Sequence, residues 1–322
     1  MVIGGSGILG AWVTRALIEY GQQPVVFSRN PDMRLLSDIR DSLEVEAGDV
    51  LDLPSLIRAI HKHQTPIIVN MATIVPPKID ANPYRGFMDS MQILLNVMEG
   101  ARLAGVRRVL FASSKAVYRE ITDEHGPPTF KPVSEDYPKW PKSVYGIQKL
   151  ACEQLGNYYA EHFGIEFMAF RFGATYGPMK VIRHGPMLGH GQMVENAMLG
   201  KATRIPRGAD HADDVVYARD VGHALALGCL STKVTQPVFN IGTGRLTTLT
   251  EMADAVRDLF PNAAIEIGPG RAELMTGRLD CVMDISRARE ELGYEPRYDP
   301  LTGVRDYVET MRKLHIEPTH IP

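Results

Sequence analysis

Cysteine is scarce in this chain, and Cys152, Cys229 and Cys281 are odd in number and far apart. That argues against a disulfide framework and fits reduced thiols in a cytoplasmic protein. No apolar run approaches the roughly 20 residues that span a bilayer. No basic segment followed by an apolar one marks the N-terminus as a signal peptide. Long runs of like charge are missing too, and a net charge of −3 gives no reason to expect nucleic acid or a membrane surface as partner. There is no HExxH and no paired CxxC, so no metal site is expected. Repeats and low-complexity tracts are also absent. What is present is ordinary: 322 residues, 44% apolar and 23% charged, enough for one large globular domain or two modest ones.

The most informative stretch comes first. Gly4-Gly5-Ser6-Gly7-Ile8-Leu9-Gly10 follows the apolar stub Met1-Val2-Ile3 and precedes a helical pattern in Leu9, Val13, Ala16, Leu17 and Tyr20, closed by Gly21. A second apolar strand follows at 24–27. Strand, glycine turn and helix in that order form a dinucleotide site: the glycines let the backbone approach a pyrophosphate, whose charge sits at the helix start. The stub is shorter than the five or six residues usual for a strand, so a few residues upstream of Met1 are expected to complete it.

Strand-like runs at 25–27, 43–45, 67–70, 108–112 and 167–172 alternate with helical segments at 53–61, 87–104 and 144–163. This alternation predicts an α/β fold, a Rossmann-type doubly wound parallel sheet covered on both faces. The rhythm breaks near Pro178. Beyond it lie a helix near 192–199, a strand starting at Val238, a capping-box helix from Thr248 to Leu259, a short helix at 287–292 and a last one at about 301–314. Residues 1–178, with 213–245 returning, read as the NAD(P)-binding core. Residues 179–212 and 246–322 read as a smaller α/β substrate lobe.

Two Tyr-x-x-x-Lys matches occur. Tyr176 to Lys180 encloses Gly-Pro, which cannot hold a regular helical turn, so its side chains need not meet. Tyr145 and Lys149 lie in a helix-favouring stretch, on one face at i and i+4. An ammonium beside a phenol lowers the phenol pKa and makes it a usable acid/base. Ser113-Ser114 end a strand, where open α/β sheets bind their ligands.

Together these pieces resemble the extended short-chain dehydrogenase/reductase family, in its NAD-dependent epimerase/dehydratase branch. The resemblance rests on Gly4–Gly10, Gly48-Asp49-Val50, Ser113-Ser114-Lys115-Ala116-Val117-Tyr118, Tyr145-x-x-x-Lys149 and Arg171-Phe172-Gly173-Ala174-Thr175-Tyr176-Gly177-Pro178. Ala218-Arg219-Asp220-Val221, Phe239-Asn240-Ile241-Gly242 and Asp284-Ile285-Ser286 follow in the expected order. The resemblance implies Tyr145 as catalytic acid/base, Lys149 as the group that lowers its pKa and holds the nicotinamide ribose, and Ser114 as the group that orients the reacting oxygen. Gly4, Gly7, Ile8, Leu9, Gly10, Asp49, Val50, Ala72 and Phe172 would meet the cofactor. Ser28, at the end of the second strand, and Arg29 suit a 2′-phosphate, which favours NADP and leaves NAD open.

Departures narrow the substrate. The Asp-Glu pair of dehydratases reads Lys115-Ala116 here. An Asn that touches the diphosphate in many nucleotide-sugar members is Ala174, and the Arg of an Arg-Asp-Phe context is replaced in Ala212-Asp213-Asp214-Val215. Lys115, Ala174, Arg183 and Arg207 are the candidate substrate contacts for a sugar-like or anionic molecule, with solvated loop charge as the alternative for the three cations. The leading expectation is an NAD(P)-dependent oxidoreductase acting on a secondary alcohol or ketone of a sugar-like or hydroxy-acid substrate. A sugar or nucleotide-sugar epimerase with tightly held NAD is the alternative, and a dinucleotide sensor without turnover is a third. The family analogy also implies a homodimer through the helices near 87–104 and 144–163.

Overall fold

The computed structural model describes residues 1–184, 189–232, 234–272 and 278–320. In chain order the core runs β1 (Val2–Ile3), α1 (Ile8–Glu19), β2 (Val25–Ser28), β3 (Glu44–Ala47), α2 (Leu53–Lys62) and β4 (Ile67–Asn70). It continues with α3 (Pro76–Ala81), α4 (Pro83–Ala104), β5 (Arg108–Ser114), α5 (Val144–Phe163), β6 (Glu166–Phe172) and β7 (Ala174–Tyr176). Then come α6 (Lys180–His184), α7 (His190–Met198), β8 (Thr203–Ile205), β9 (Ala212–Asp213), β10 (Val215–Tyr217) and α8 (Ala218–Leu230). Last are β11 (Val238–Ile241), β12 (Thr247–Thr248), α9 (Leu249–Leu259), β13 (Ile265–Ile267), α10 (Ser286–Leu292) and α11 (Pro300–Lys313).

Seven strands make one parallel sheet in the order β11-β6-β5-β4-β1-β2-β3. This is the predicted doubly wound Rossmann-type sheet. The order reverses between β1 and β4, the switch point outside whose carboxyl ends ligands bind. The short β1 is held on both sides: Gly4 N–H donates to Phe27 O at 2.8 Å and Met71 N–H to Ile3 O at 2.9 Å. Helices α2, α4 and α5 cover one face, burying Leu56, Leu94 and Val97 among others. Helices α1 and α8 cover the other, where Val13, Leu17, Val221 and Leu225 meet β5 and β6.

The strands run longer than their apolar runs suggest. The fifth extends two residues past the predicted 112, so Ser113 and Ser114 lie on the strand itself. Helix α4 starts at Pro83, where Asn82 caps it by accepting from Arg85 N–H at 3.0 Å, four residues before the predicted start at 87. The predicted Thr248 capping box is present. Helix α10 instead starts after Ile285 with no side-chain cap, although Asp284 accepts from Ser286 N–H at 3.0 Å. All three cysteines are free and buried. Among the described residues no helix is long and apolar enough to cross a membrane.

A buried polar network pins the end of the sheet that carries the site. Arg171 on β6 forks onto Glu153 of α5, with Nη2 at 2.6 Å and Nε at 2.9 Å, and both side chains are 3% exposed. Ser113 Oγ of β5 donates to the same carboxylate at 2.5 Å. Arg171 also donates to Tyr118 Oη at 3.1 Å, and Tyr118 donates to Asn240 Oδ1 of β11 at 2.6 Å. Breaking such a pair leaves an uncompensated buried charge, at a cost of about 3–5 kcal/mol. Glu153→Ala is therefore expected to lower urea-unfolding stability by that order, and Glu153→Leu with Arg171→Met to recover most of it. Equal losses in the single and double variants would show that the pair is not what holds these elements.

Candidate active site

A cavity of about 720 Å³ opens over the carboxyl ends of β1, β2, β4, β5 and β6. The glycine turn forms its floor. Gly4 has φ of +72°, a conformation an L side chain rarely adopts. A Cβ on Gly10 would lie 2.1 Å from Gly4 O, so only hydrogen fits where α1 leaves the turn. Gly7, the N-cap of α1, offers no side chain to the first helical N–H groups, and Gly7, Ile8, Leu9 and Gly10 line the cavity. An uncapped helix start on a cavity is a ready anion site, as a dinucleotide pyrophosphate requires.

Every residue predicted to meet the cofactor lines this one cavity: Gly4, Gly7, Ile8, Leu9, Gly10, Ser28, Arg29, Asp49, Val50, Ala72, Tyr145, Lys149 and Phe172. At the adenosine end, Ser6 Oγ donates to Ser28 Oγ at 3.0 Å. Arg29 is not a free cation, because its guanidinium pairs with Asp49 at 3.3 Å. Asp49 in turn accepts from Leu51 N–H at 3.0 Å. The residues present therefore fit a dinucleotide: the glycine turn and the start of α1 would hold its phosphates, and Ser28 and Asp49 would meet its adenosine end.

At the other end Ser114, Tyr145 and Lys149 converge on the same wall. Ser143 caps α5 by accepting from Gly146 N–H at 3.1 Å, which fixes the helix start that carries Tyr145. The expected electrostatics differ, however. Burial pushes the Tyr145 phenol up to about 12, and only the Ser114 hydroxyl works against it. Lys149 does not lower it: its Nζ donates to Ala112 O at 2.6 Å and lies 5.5 Å from the Tyr145 ring centre. Burial brings Lys149 down to about 8. The i, i+4 spacing places both side chains on one helix face, but a carbonyl at the end of β5 claims the ammonium.

The substrate candidates divide. Lys115 and Ala174 line the cavity. Lys115, however, is tied to both oxygens of Asp213 at 2.5 Å, and although burial opposes its charge, that carboxylate holds it above the ordinary lysine range. Arg207 is exposed beside Gly270 and is not among the residues that line the cavity. The Arg183 side chain lies outside the described residues. His211, Asp213 and Asp280 bring donor atoms within 4.8 Å of one another, but Lys115 and Arg271 face the two carboxylates and supply the positive charge an ion would bring.

Sequence reading missed Asp213, Lys180, Thr175 and Leu279, which line the substrate half. Lys180 belongs to the set-aside Tyr176 pair, and the structure separates the two. Tyr176 packs in the core against Tyr217 with ring centres 5.0 Å apart, while Lys180 turns back onto Thr175. The Gly-Pro break that removed the pair as a catalytic motif is also what frees Lys180 to turn.

Fold and cavity together define an α/β enzyme of the dinucleotide-binding type. Residues 1–242 match the sequence model of the NAD dependent epimerase/dehydratase family. The chain belongs to that family, the extended short-chain dehydrogenase/reductase type. It is 26% identical over 320 residues to a putative UDP-glucose 4-epimerase of Methanocaldococcus jannaschii, covering 97% of this chain and 98% of that one. UDP-glucose 4-epimerase of Thermotoga maritima, solved with UDP-glucose, superposes with a TM-score of 0.83 at 24% identity over 97% and 98% of the two chains. That of Thermus thermophilus, solved with NAD, gives 0.80 at 23% identity over the same shares.

The Lys115–Asp213 pair generates a pH-dependent expectation. With the lysine removed, burial and the neighbouring Asp280 raise the Asp213 pKa above the unfolded value, opposed by main-chain donors such as Cys281 N–H. A raised carboxyl pKa favours the folded state at low pH and loses that contribution as pH rises through the folded value. Lys115→Met is thus expected to cost about 3–5 kcal/mol near pH 8 and markedly less near pH 5, read by urea unfolding at both. A loss that does not change with pH would contradict this.

Proposed function

We propose that the chain is an NAD-dependent epimerase acting on a secondary alcohol of a sugar-type substrate. The Tyr145 phenol, which shares the wall of the dinucleotide cavity with Ser114 and Lys149, is the observation that carries this reading. Similarity over nearly the whole length to UDP-glucose 4-epimerases favours epimerisation over net oxidation. In this mechanism Tyr145 takes the hydroxyl proton and later returns it, Ser114 holds the reacting oxygen, and Lys149 keeps the ribose and the proton path in place. The nicotinamide, when bound, accepts and gives back the hydride. A retained ketone that presents its other face on the return leg gives the epimer.

NAD is the cofactor we assign, over the NADP suggested by Ser28 and Arg29. Asp49 already neutralises Arg29, and its carboxylate would repel a 2′-phosphate while accepting from a free 2′-hydroxyl. The division into a core (1–178 with 213–245) and a substrate lobe is kept as part of this proposal. So is the homodimer, which is supported by apolar side chains left exposed on α4 and α5: Tyr84, Met88, Leu103, Ile147, Tyr158 and Phe163.

Tyr145→Phe is expected to lower epimerisation by about 10²–10⁴-fold while NADH binding, read by nicotinamide fluorescence, is retained. Full turnover by this variant would sink the mechanism. A net dehydrogenase would instead change nicotinamide absorbance steadily during turnover and require added cofactor. Asp49→Ala is expected to shift the NADH to NADPH affinity ratio at least tenfold towards NADPH, measured by the same fluorescence; an unchanged ratio overturns the cofactor assignment.

A further inference from the structure

The substrate half of the cavity carries an unusual charge balance. Two of its lining side chains, Lys115 and Asp213, cancel each other. A third, Lys180, has no carboxylate against it among the described residues. Among the described residues its Nζ is bonded only to the main-chain oxygen and Oγ1 of Thr175, both neutral acceptors. The nearby ring of His190 cannot compensate it, since burial keeps that histidine neutral, with a pKa of about 3. The other buried or cavity-lining cations have their partners: Arg29 faces Asp49, Arg171 faces Glu153, Arg108 faces Glu166 and Arg219 faces Asp306. Lys149 sits on Ala112 O at the cofactor end.

An ammonium removed from water without a counter-charge is unfavourable, and it is favoured again when an anion arrives. We infer that Lys180 is a specificity-determining residue that receives an anionic group of the substrate, a carboxylate or a phosphate, in the half of the cavity beyond Tyr145. Thr175 positions it: the strand β7 continues from the cavity-lining Phe172 and Gly173, and the two Thr175 oxygens draw Nζ back over that strand. Burial lowers the free amine to about 7, so a bound anion would restore a full positive charge there. The inference deepens the reading of the cavity as a substrate site and rests on it, but it does not depend on the hydride chemistry.

The test is isothermal titration of the NAD-loaded full chain with D-galacturonate, UDP-glucose and neutral D-galactose. At least one anionic probe is expected to bind ten times or more tightly than galactose. Lys180→Met should weaken that probe at least tenfold without changing galactose, and Lys180→Arg should restore most of the loss. Lys180→Gln serves if the Met variant loses NADH fluorescence. Response of galacturonate alone identifies a carboxylate, and response of UDP-glucose alone identifies a phosphate. Binding of the anions unchanged in Lys180→Met, equal weakening of galactose, or no preference for either anion overturns the inference. Turnover by Tyr145→Phe, measured separately, reports on the hydride-transfer reading, so the two can fail independently.

Discussion

The carboxylate of Glu153 is the point on which the site depends. It sits one turn beyond Lys149 on α5, and it is reached by Arg171 from β6 and by Ser113 from β5. That one group fixes the rotation of α5 about its axis and its height along the strands. Tyr145, two turns before it, and Ser114, one residue past Ser113, inherit their separation from it. A hydrophobic interface alone tolerates sliding, because dispersion is nondirectional; a bidentate guanidinium–carboxylate pair does not. The same Arg171 reaches Tyr118 and, through it, Asn240, so the turn after β5 is tied to β11 as well. Buried polar groups cost stability unless satisfied, and here nearly all the donors on this network find acceptors.

What the sequence makes legible follows from local rules. The glycine turn, the alternation of strands and helices and the i, i+4 placement of Tyr145 and Lys149 are all settled within a few residues, and the structure keeps each of them. What it hides is pairing across the chain. Lys115 looks like a free cation beside Ser114, yet its partner Asp213 is 98 residues away. Arg29 looks like a phosphate ligand until Asp49, 20 residues on, takes its charge. The fate of the Lys149 ammonium depends on a main-chain oxygen at the end of β5, which no residue type announces. Lys180 was visible only as half of a motif that its own Gly-Pro break disqualified. Strand ends were misread for a different reason: Ser113 and Ser114 are polar, and their place on β5 is set by pairing with Arg171 and Phe172 of β6.

Compensation of charge divides the cavity into unlike halves. At the adenosine end a cation and a carboxylate neutralise one another at its rim, where water also screens them, so recognition there falls to hydroxyl and carboxylate acceptors. Over the ends of β5 and β6 the Lys115–Asp213 pair is nearly sealed, with side chains 9% and 1% exposed. A pair so enclosed is a wall with no net charge. It blocks approach to both of its ions and leaves the shape of the cavity and the few uncompensated groups to choose the ligand.

The two groups that would move a proton in the proposed mechanism share a further property. Burial drives the Tyr145 phenol up to about 12 and the Lys149 amine down to about 8, so the low-dielectric wall favours the neutral form of each. A phenol of that kind keeps its proton at neutral pH and is a weak acid, so burial alone favours neither giving the proton up nor serving as a phenolate base. Acid/base work by Tyr145 would therefore require that the phenolate be stabilised once the proton has left, and among the described residues the Ser114 hydroxyl is the side chain that acts in that direction. Lys149 is poised 4.7 Å above the Phe111 ring and bonded to one carbonyl, a holding position that costs a single hydrogen bond to leave. An ammonium turned from Ala112 O towards the phenol would lower its pKa, and Lys149 is the residue of this wall that would supply that charge beside a bound dinucleotide. In the proposed mechanism the acid/base character of the site would then depend on where the Lys149 ammonium rests as much as on the phenol itself.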